Sequence, residues 1–292
     1  MKPADIFLAL LVAIIWGMGF TLAKAAFVFA GFPPILMIAC RFTLTALALA
    51  PFVKVPRGHF GSIFVIAFVS ASVQYALTFT GLSRIDASLA VIVVQLEFPF
   101  MALFAAVFLG DRLFGRGILG LLLAFGGIAL IAGRPTEGSD LIGILMCGGG
   151  ALSWAFGQIL IKRLDGAVGG FTLIAWVAVM AVPQLFLLSA IFETGQVAAL
   201  ASMNWIGWGV VIYLGLVMTA LAYGIWYHLL GRYPVTKVGP FLLLLPVASI
   251  AGSILILGER MEPIEALGAA VVILGVWLVT TDRPRRALKA PA

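Results

Sequence analysis

Three features of the 292-residue sequence point to an all-α polytopic membrane protein, ten transmembrane helices built as two inverted five-helix repeats. With 63% of residues hydrophobic and only 10% charged, the chain has too little polar surface to cover itself in water. Its apolar runs have membrane-crossing length. And the four residues Leu109-Gly110-Asp111-Arg112 return as Leu257-Gly258-Glu259-Arg260, so the chain reads as one unit written twice.

Crossing a hydrocarbon core of about 30 Å takes about 20 apolar residues as a helix. Ten such spans are predicted, at roughly 5–24, 34–53, 60–81, 87–109, 116–133, 140–161, 170–192, 205–230, 236–257 and 264–281. The first resembles a signal peptide, with Lys2 ahead of its apolar stretch. It also echoes the internal segment 151–162, which cannot be cleaved off, so it is expected to stay as a helix of the mature protein.

The repeated motifs lie 148 residues apart, and the same offset carries Tyr75 onto Tyr223, Arg84 onto Arg232, Gly120 onto Gly268 and Gly127 onto Gly275. An offset of 138 carries Ala13, Trp16, Gly19 and Lys24 onto Ala151, Trp154, Gly157 and Lys162. The expected division is 1–134 for the first repeat and 135–292 for the second, which ends in a short basic tail. Five helices is an odd number, so the second copy enters the membrane from the opposite face. Inverted halves give a protein two near-equivalent shapes, one open to each side, with a site at the midplane between them.

Pooling alternate connections puts Lys2, Lys54, Arg57, Arg112, Arg116, Lys162, Arg163, Arg232, Lys237, Arg283, Arg285, Arg286 and Lys289 on the side of the termini. Only Lys24, Arg84, Arg134 and Arg260 fall on the other. Positive residues are retained on the cytoplasmic face, so both termini are expected there. The basic tail then serves as an anchor against anionic lipid, and no nucleic-acid partner is expected. Cys40 and Cys147 sit in separate apolar runs, as buried thiols do. No hydrolase or nucleotide-binding motif is present, so the chain is not expected to be an enzyme, and no metal or other cofactor is implied.

Trp16 and Trp154 fall near the middle of their spans, deeper than the headgroup level at which tryptophan usually anchors. They suggest the wall of a cavity, the alternative being plain helix packing. Gln74 and Thr78 at spacing four, with Tyr75 beside them, and Tyr223 in the repeat-equivalent helix, are polar groups that should point inward. Gln158 follows Trp154 by four and shares its face. Together with Gln95 these make an aromatic pocket with a few amides and hydroxyls, suited to an amphipathic small-molecule substrate. Helix-to-helix hydrogen bonding is the alternative for any one Ser or Thr.

Glu97 lies about 15 Å into its span and Arg41 lies in the same half of the membrane. A buried ion pair between them is expected, the alternative being that Glu97 lines the path and carries a proton. Pro99 and Pro246 interrupt the fourth and ninth spans and are candidate hinges, with Pro183 and Pro240 as further breaks.

Trp-Gly in the first span, Arg41-Phe42 in the second, Leu96-Glu97-Phe98-Pro99, and the two Leu-Gly-acid-Arg endings resemble the EamA family of the drug/metabolite transporter superfamily. The resemblance covers nearly the whole chain; Asp111 stands where Glu is commoner. It implies a ten-helix secondary transporter of the bacterial inner membrane that exports amino acids or related metabolites by alternating access. The aromatic pocket fits aromatic or apolar amino acids. A proton-coupled drug or metabolite antiporter of the same fold is the alternative, and function as a monomer is expected.

Overall fold

The computed structural model describes residues 1–109, 115–133, 140–164, 167–230, 232–233 and 238–281, and these are helical with no strand among them. Gly110, Asp111 and Arg112 of the first motif, and the basic tail, lie outside the described residues. Ten membrane-crossing elements follow in order: α1 (Pro3–Ala30), α2 (Pro34–Leu49), α3 (60–84), α4 (87–109), α5 (Gly115–Ala132), α6 (Leu141–Arg163), α7 (Gly170–Phe192), α8 (205–230), α9 (239–257) and α10 (Pro263–Thr281). The face that holds Met1 is called the near face, the opposite one the far face. Large side chains such as Leu47, Leu122, Leu187 and Leu255 are exposed around the outside, as a hydrocarbon surrounding requires.

The ninth span differs from the expected uniform helix. Nine helices among the described residues are long and apolar enough to cross a membrane, while this one has only a shorter apolar helix at Leu245–Leu257. It begins as a 3₁₀ turn (Gly239–Leu244), becomes α-helical at Leu245–Gly252 and ends in a π-helical stretch (Ser253–Leu257). Pro246 stands in the first turn of the α-helical part, where its missing N–H costs nothing.

The fourth span is broken too. It consists of Ala87–Val94 and Glu97–Leu109, joined at Gln95–Leu96 by bonds reaching back three residues, from Gln95 N to Ile92 O and from Leu96 N to Val93 O. The break therefore precedes Pro99, which lies in the first turn of the second half. Pro183, in contrast, is carried inside a continuous α7.

Two further irregularities are paired by the repeat. α3 contains a π-helical stretch at Phe68–Val73 and α8 one at Tyr213–Leu221. In α8 the Thr219 hydroxyl donates to the carbonyl of Leu214, five residues back, the carbonyl that a π-turn presents.

Glycine contacts reveal the symmetry. A Cβ on Gly120 would lie 2.6 Å from Gly275 O, and one on Gly127 would lie 2.8 Å from Gly268 O. Since Gly120 is equivalent to Gly268, and Gly127 to Gly275, exchanging the halves maps the α5–α10 contact onto itself, as a twofold axis in the membrane plane demands. The same holds elsewhere: Gly19 of α1 touches Met218 of α8, and its equivalent Gly157 of α6 touches Ser70 of α3.

In the α5–α10 seam no side chain fits, so Gly127→Ala should destabilise the folded protein by about 1–3 kcal/mol through overpacking. Gly126, one residue away, has open space around it. Gly126→Ala should melt at or slightly above the wild-type temperature in detergent. Equal melting of the two variants would show that the seam is not tight.

Candidate functional site

The sequence-predicted residues fall into separate groups, where one shared cavity was expected. The first group gathers between α1, α2, α3 and α8. Trp16, 9% exposed, donates its indole N–H to the Met218 carbonyl at 3.0 Å. That carbonyl is the partner a tryptophan at this depth needs. Its ring lies 5.0 Å from Tyr223 and 5.7 Å from Trp226. Across from them Tyr75 packs on Phe79 and Phe42.

Arg41 occupies the centre of this group and does not pair with Glu97. Its Nε and Nη2 donate to Thr219 Oγ1 at 3.2 and 3.0 Å, and Nη2 also reaches the Tyr75 hydroxyl at 3.2 Å. Its guanidinium carbon stands 4.5 Å from the Tyr75 ring centre, within cation–π range. Depth along a helix gives only height in the membrane, and the two helices present these groups to different neighbours.

The second group lies between α4, α6 and α10. Trp154 is half-buried and meets Phe98 edge-on at 6.5 Å. Gln158 and Phe98 line a cavity of about 270 Å³ with Met101, Lys162 and Thr280, in the near-face half. Glu97 is half-buried at the start of the second half of α4, with no ion-pair or hydrogen-bond partner among the described residues. Gln95, in the break itself, is buried with Nε2 unbonded.

Gln74 and Thr78 lie in the seam between α3 and α6. A Cβ on Gly150 would collide with Thr78 Oγ1 and approach Gln74 O at 3.0 Å. For Thr78 the structure therefore favours close helix packing over a pocket wall. Gln74 is buried with Oε1 unbonded.

A set of contacts at the far face was missed by sequence reasoning. α9 ends at Gly258, whose φ of 69° is left-handed, a conformation glycine adopts at no steric cost. The turn sends the Glu259 carboxylate to the start of α4, where it accepts from Ala87 N at 2.7 Å, Ser88 N at 3.0 Å and Ser88 Oγ at 2.7 Å. Glu193, at the end of α7, caps α2 in the same way through Ile35 N and Leu36 N at 2.7 and 2.9 Å. Lys24 closes the complementary end, donating to the last carbonyls of α3, Leu82 and Ser83. Acid on helix starts and base on helix ends both match the helix dipole. The available signal was the Leu-Gly-Glu-Arg motif itself, a glycine stop followed by an acid.

Ala87–Val94 are all buried beneath these caps; the cavity beside Gln158 lies towards the near face, and another of about 420 Å³, lined by Leu22, Phe29, Trp205 and Ile256, lies towards the far face. Beside Glu259, burial pushes the Asp86 carboxyl up to about 6; the Glu259 charge adds to the rise and Lys24 opposes it. An acid whose folded pKa is raised binds its proton more tightly when folded. Its contribution therefore favours the folded state at low pH and is lost as pH rises from about 4 to about 6. Asp86→Asn should remove this part of the pH dependence of the melting temperature. Wild type and variant with parallel profiles over that window would count against it.

A family model described as the EamA-like transporter family matches residues 4–133 and again 141–281. A probable amino-acid metabolite efflux pump of Escherichia coli is 30% identical over 99% of both chains. A Salmonella typhimurium protein of the same description is 31% identical over 95% of both. A probable terminal-alkyne amino-acid exporter of Streptantibioticus cattleyicolor is 28% identical over 70% of this chain and 68% of its own. One protein of known crystal structure, 19% identical, superposes over the full length of both chains with a TM-score of 0.65, a likeness of fold. With membrane-crossing helices, paired halves and a model match to each half, this chain belongs to the EamA-like transporter family.

Proposed function

We propose that the protein is a secondary transporter that exports small amphipathic metabolites, amino acids with aromatic or apolar side chains foremost, by alternating access. The observation that carries this reading is the full-length similarity to a probable amino-acid metabolite efflux pump. Three features of the chain support it. The inverted halves supply two interchangeable shapes. The rings of Trp16, Tyr75, Tyr223 and Trp226 offer an apolar surface next to hydrogen-bonding groups. The excess of Lys and Arg on the near face makes that face cytoplasmic, with both termini there, in a bacterial inner (plasma) membrane. With the near face cytoplasmic, a solute loads from the cell side while the caps on α2 and α4 keep the far side shut. Release needs those caps to part. The chain acts as a monomer with a small-molecule substrate and the lipid bilayer as its partners, and takes no cofactor.

Proteoliposomes holding only this protein should show counterflow of labelled phenylalanine or leucine, and Trp16→Ala or Tyr75→Ala should reduce it severalfold while the protein remains folded. Absence of amino-acid counterflow in active vesicles would remove the substrate assignment. A reporter fused after Ala292 should be active in the cytoplasm.

Coupling to protons is a second reading, favoured by Glu97. This acid has no ion-pair partner among the described residues and sits at a helix break next to Phe98, which lines the near-face cavity. A carboxylate so placed can take up a proton from the accessible side and lose it on the other. Glu97→Gln should leave counterflow intact and abolish the response of net flux to an imposed pH gradient. A variant that keeps that response would exclude Glu97 as the proton carrier.

A further inference from the structure

We propose that Arg41 is the anchor for a carboxylate on the transported solute. The proposal takes the amino-acid nature of the solute from the reading above, but the class of group bound is argued from Arg41 alone. Arg41 is 1% exposed, and no carboxylate pairs with it among the described residues. A guanidinium stays protonated at any physiological pH. A buried cation is held at low cost only by an anion together with hydrogen bonds. What surrounds Arg41 supplies the hydrogen bonds without the anion: Thr219 Oγ1 on Nε and Nη2, the Tyr75 hydroxyl on Nη2, and the ring faces of Tyr75 and Phe42.

These contacts fix the orientation of the guanidinium plane and leave one nitrogen over. Nη1 is buried and has no partner. Nη1 and Nη2 form the edge that receives a carboxylate with two parallel hydrogen bonds; both Nη2 hydrogens are given to Thr219 and Tyr75, so a bound carboxylate would satisfy Nη1 and take one Nη2 hydrogen from the Tyr75 hydroxyl. The positioning is built from both halves of the protein, Arg41 and Tyr75 from the first and Thr219 from the second, so the fork holds its shape only while α2, α3 and α8 are together.

The surroundings suit an anion with an apolar tail rather than a small inorganic one. Tyr75 leads through Phe79 to Phe20, and Thr219 stands one turn of α8 before Tyr223, which with Trp226 packs on Trp16. Carboxylate and ring each have a matching group.

The test compares L-phenylalanine, L-phenylalaninamide and 3-phenylpropanoate as ligands of the purified full-length protein, followed by thermal shift and by competition in counterflow. Both carboxylates should stabilise the wild type and the amide should not. In Arg41→Gln the half-saturating concentration of the carboxylates should rise on the order of tenfold or more, as loss of a charge-assisted hydrogen bond implies, with Arg41→Lys in between. Acid and amide acting equally on the wild type, no response to any of the three, or a folded Arg41→Gln with unchanged half-saturation would each overturn the anchor. If 3-phenylpropanoate binds through Arg41 and phenylalanine does not, the anchor stands and the amino-acid assignment falls. Glu97→Gln tests the remaining source of a carboxylate, the chain itself: it should leave the half-saturating concentration of both carboxylates unchanged. A severalfold fall would show that Glu97 is the anion Arg41 holds in another conformation, against the proposal. If Arg41→Gln does not fold, the acid-against-amide comparison in the wild type decides alone.

Discussion

In hydrocarbon a backbone N–H without a partner costs several kcal/mol, and every helix start has such groups. The Glu259 carboxylate on Ala87 N and Ser88 N meets this need for α4 with a group borrowed from the other half of the chain, and Glu193 does the same for α2. The far-face contacts between the halves therefore also satisfy the helix ends. Without them those amides would need water in place of the carboxylates, which the membrane boundary can supply and its centre cannot.

At the centre a different solution is used. α4 breaks at Gln95–Leu96 and α9 changes from 3₁₀ to α-helix at Leu245, and the two face each other across the bundle, with Leu245–Gly252 packed on Ala87–Val94. Irregular backbone at this depth is tolerated only inside protein or beside a cavity. Proline at each break removes a donor that would otherwise need a partner. The unbonded Gln95, Gln74 and Arg41 atoms lie within the bundle, while the glycine seam of α5 and α10 is regular throughout.

The spans were legible in the sequence because length and apolarity suffice to define them, and the twofold relation because Trp, Tyr and Gly recur at fixed offsets. α9 was legible as a span but not in form, since proline spacing does not say whether a segment kinks or tightens to 3₁₀. Trp16 and Tyr223 were placed in one site through the repeat, and they do touch. Trp154 and Gln158 were placed with them and lie elsewhere, because which of ten helices become neighbours is a tertiary matter that one sequence does not carry. The Arg41–Glu97 pair failed for the same reason. The acid of Leu-Gly-Glu-Arg was seen as a signature, and its work as a cap on a helix 171 residues away could not be read from local pattern.

The paired close approaches have a consequence for how the two halves can diverge. Where Gly19 meets Met218, Gly157 meets Ser70: the glycine is the same in both copies while its neighbour has become a long thioether in one and a short hydroxyl in the other. The chain thus holds two independent trials of a single contact. They agree on the side that must be small and disagree on the side that fills the remaining space. Drift at such a seam is one-sided, with the partner position free to change volume and polarity so long as the glycine stays. A duplicated protein can in this way acquire two chemically distinct faces around its axis without disturbing the symmetry of its backbone.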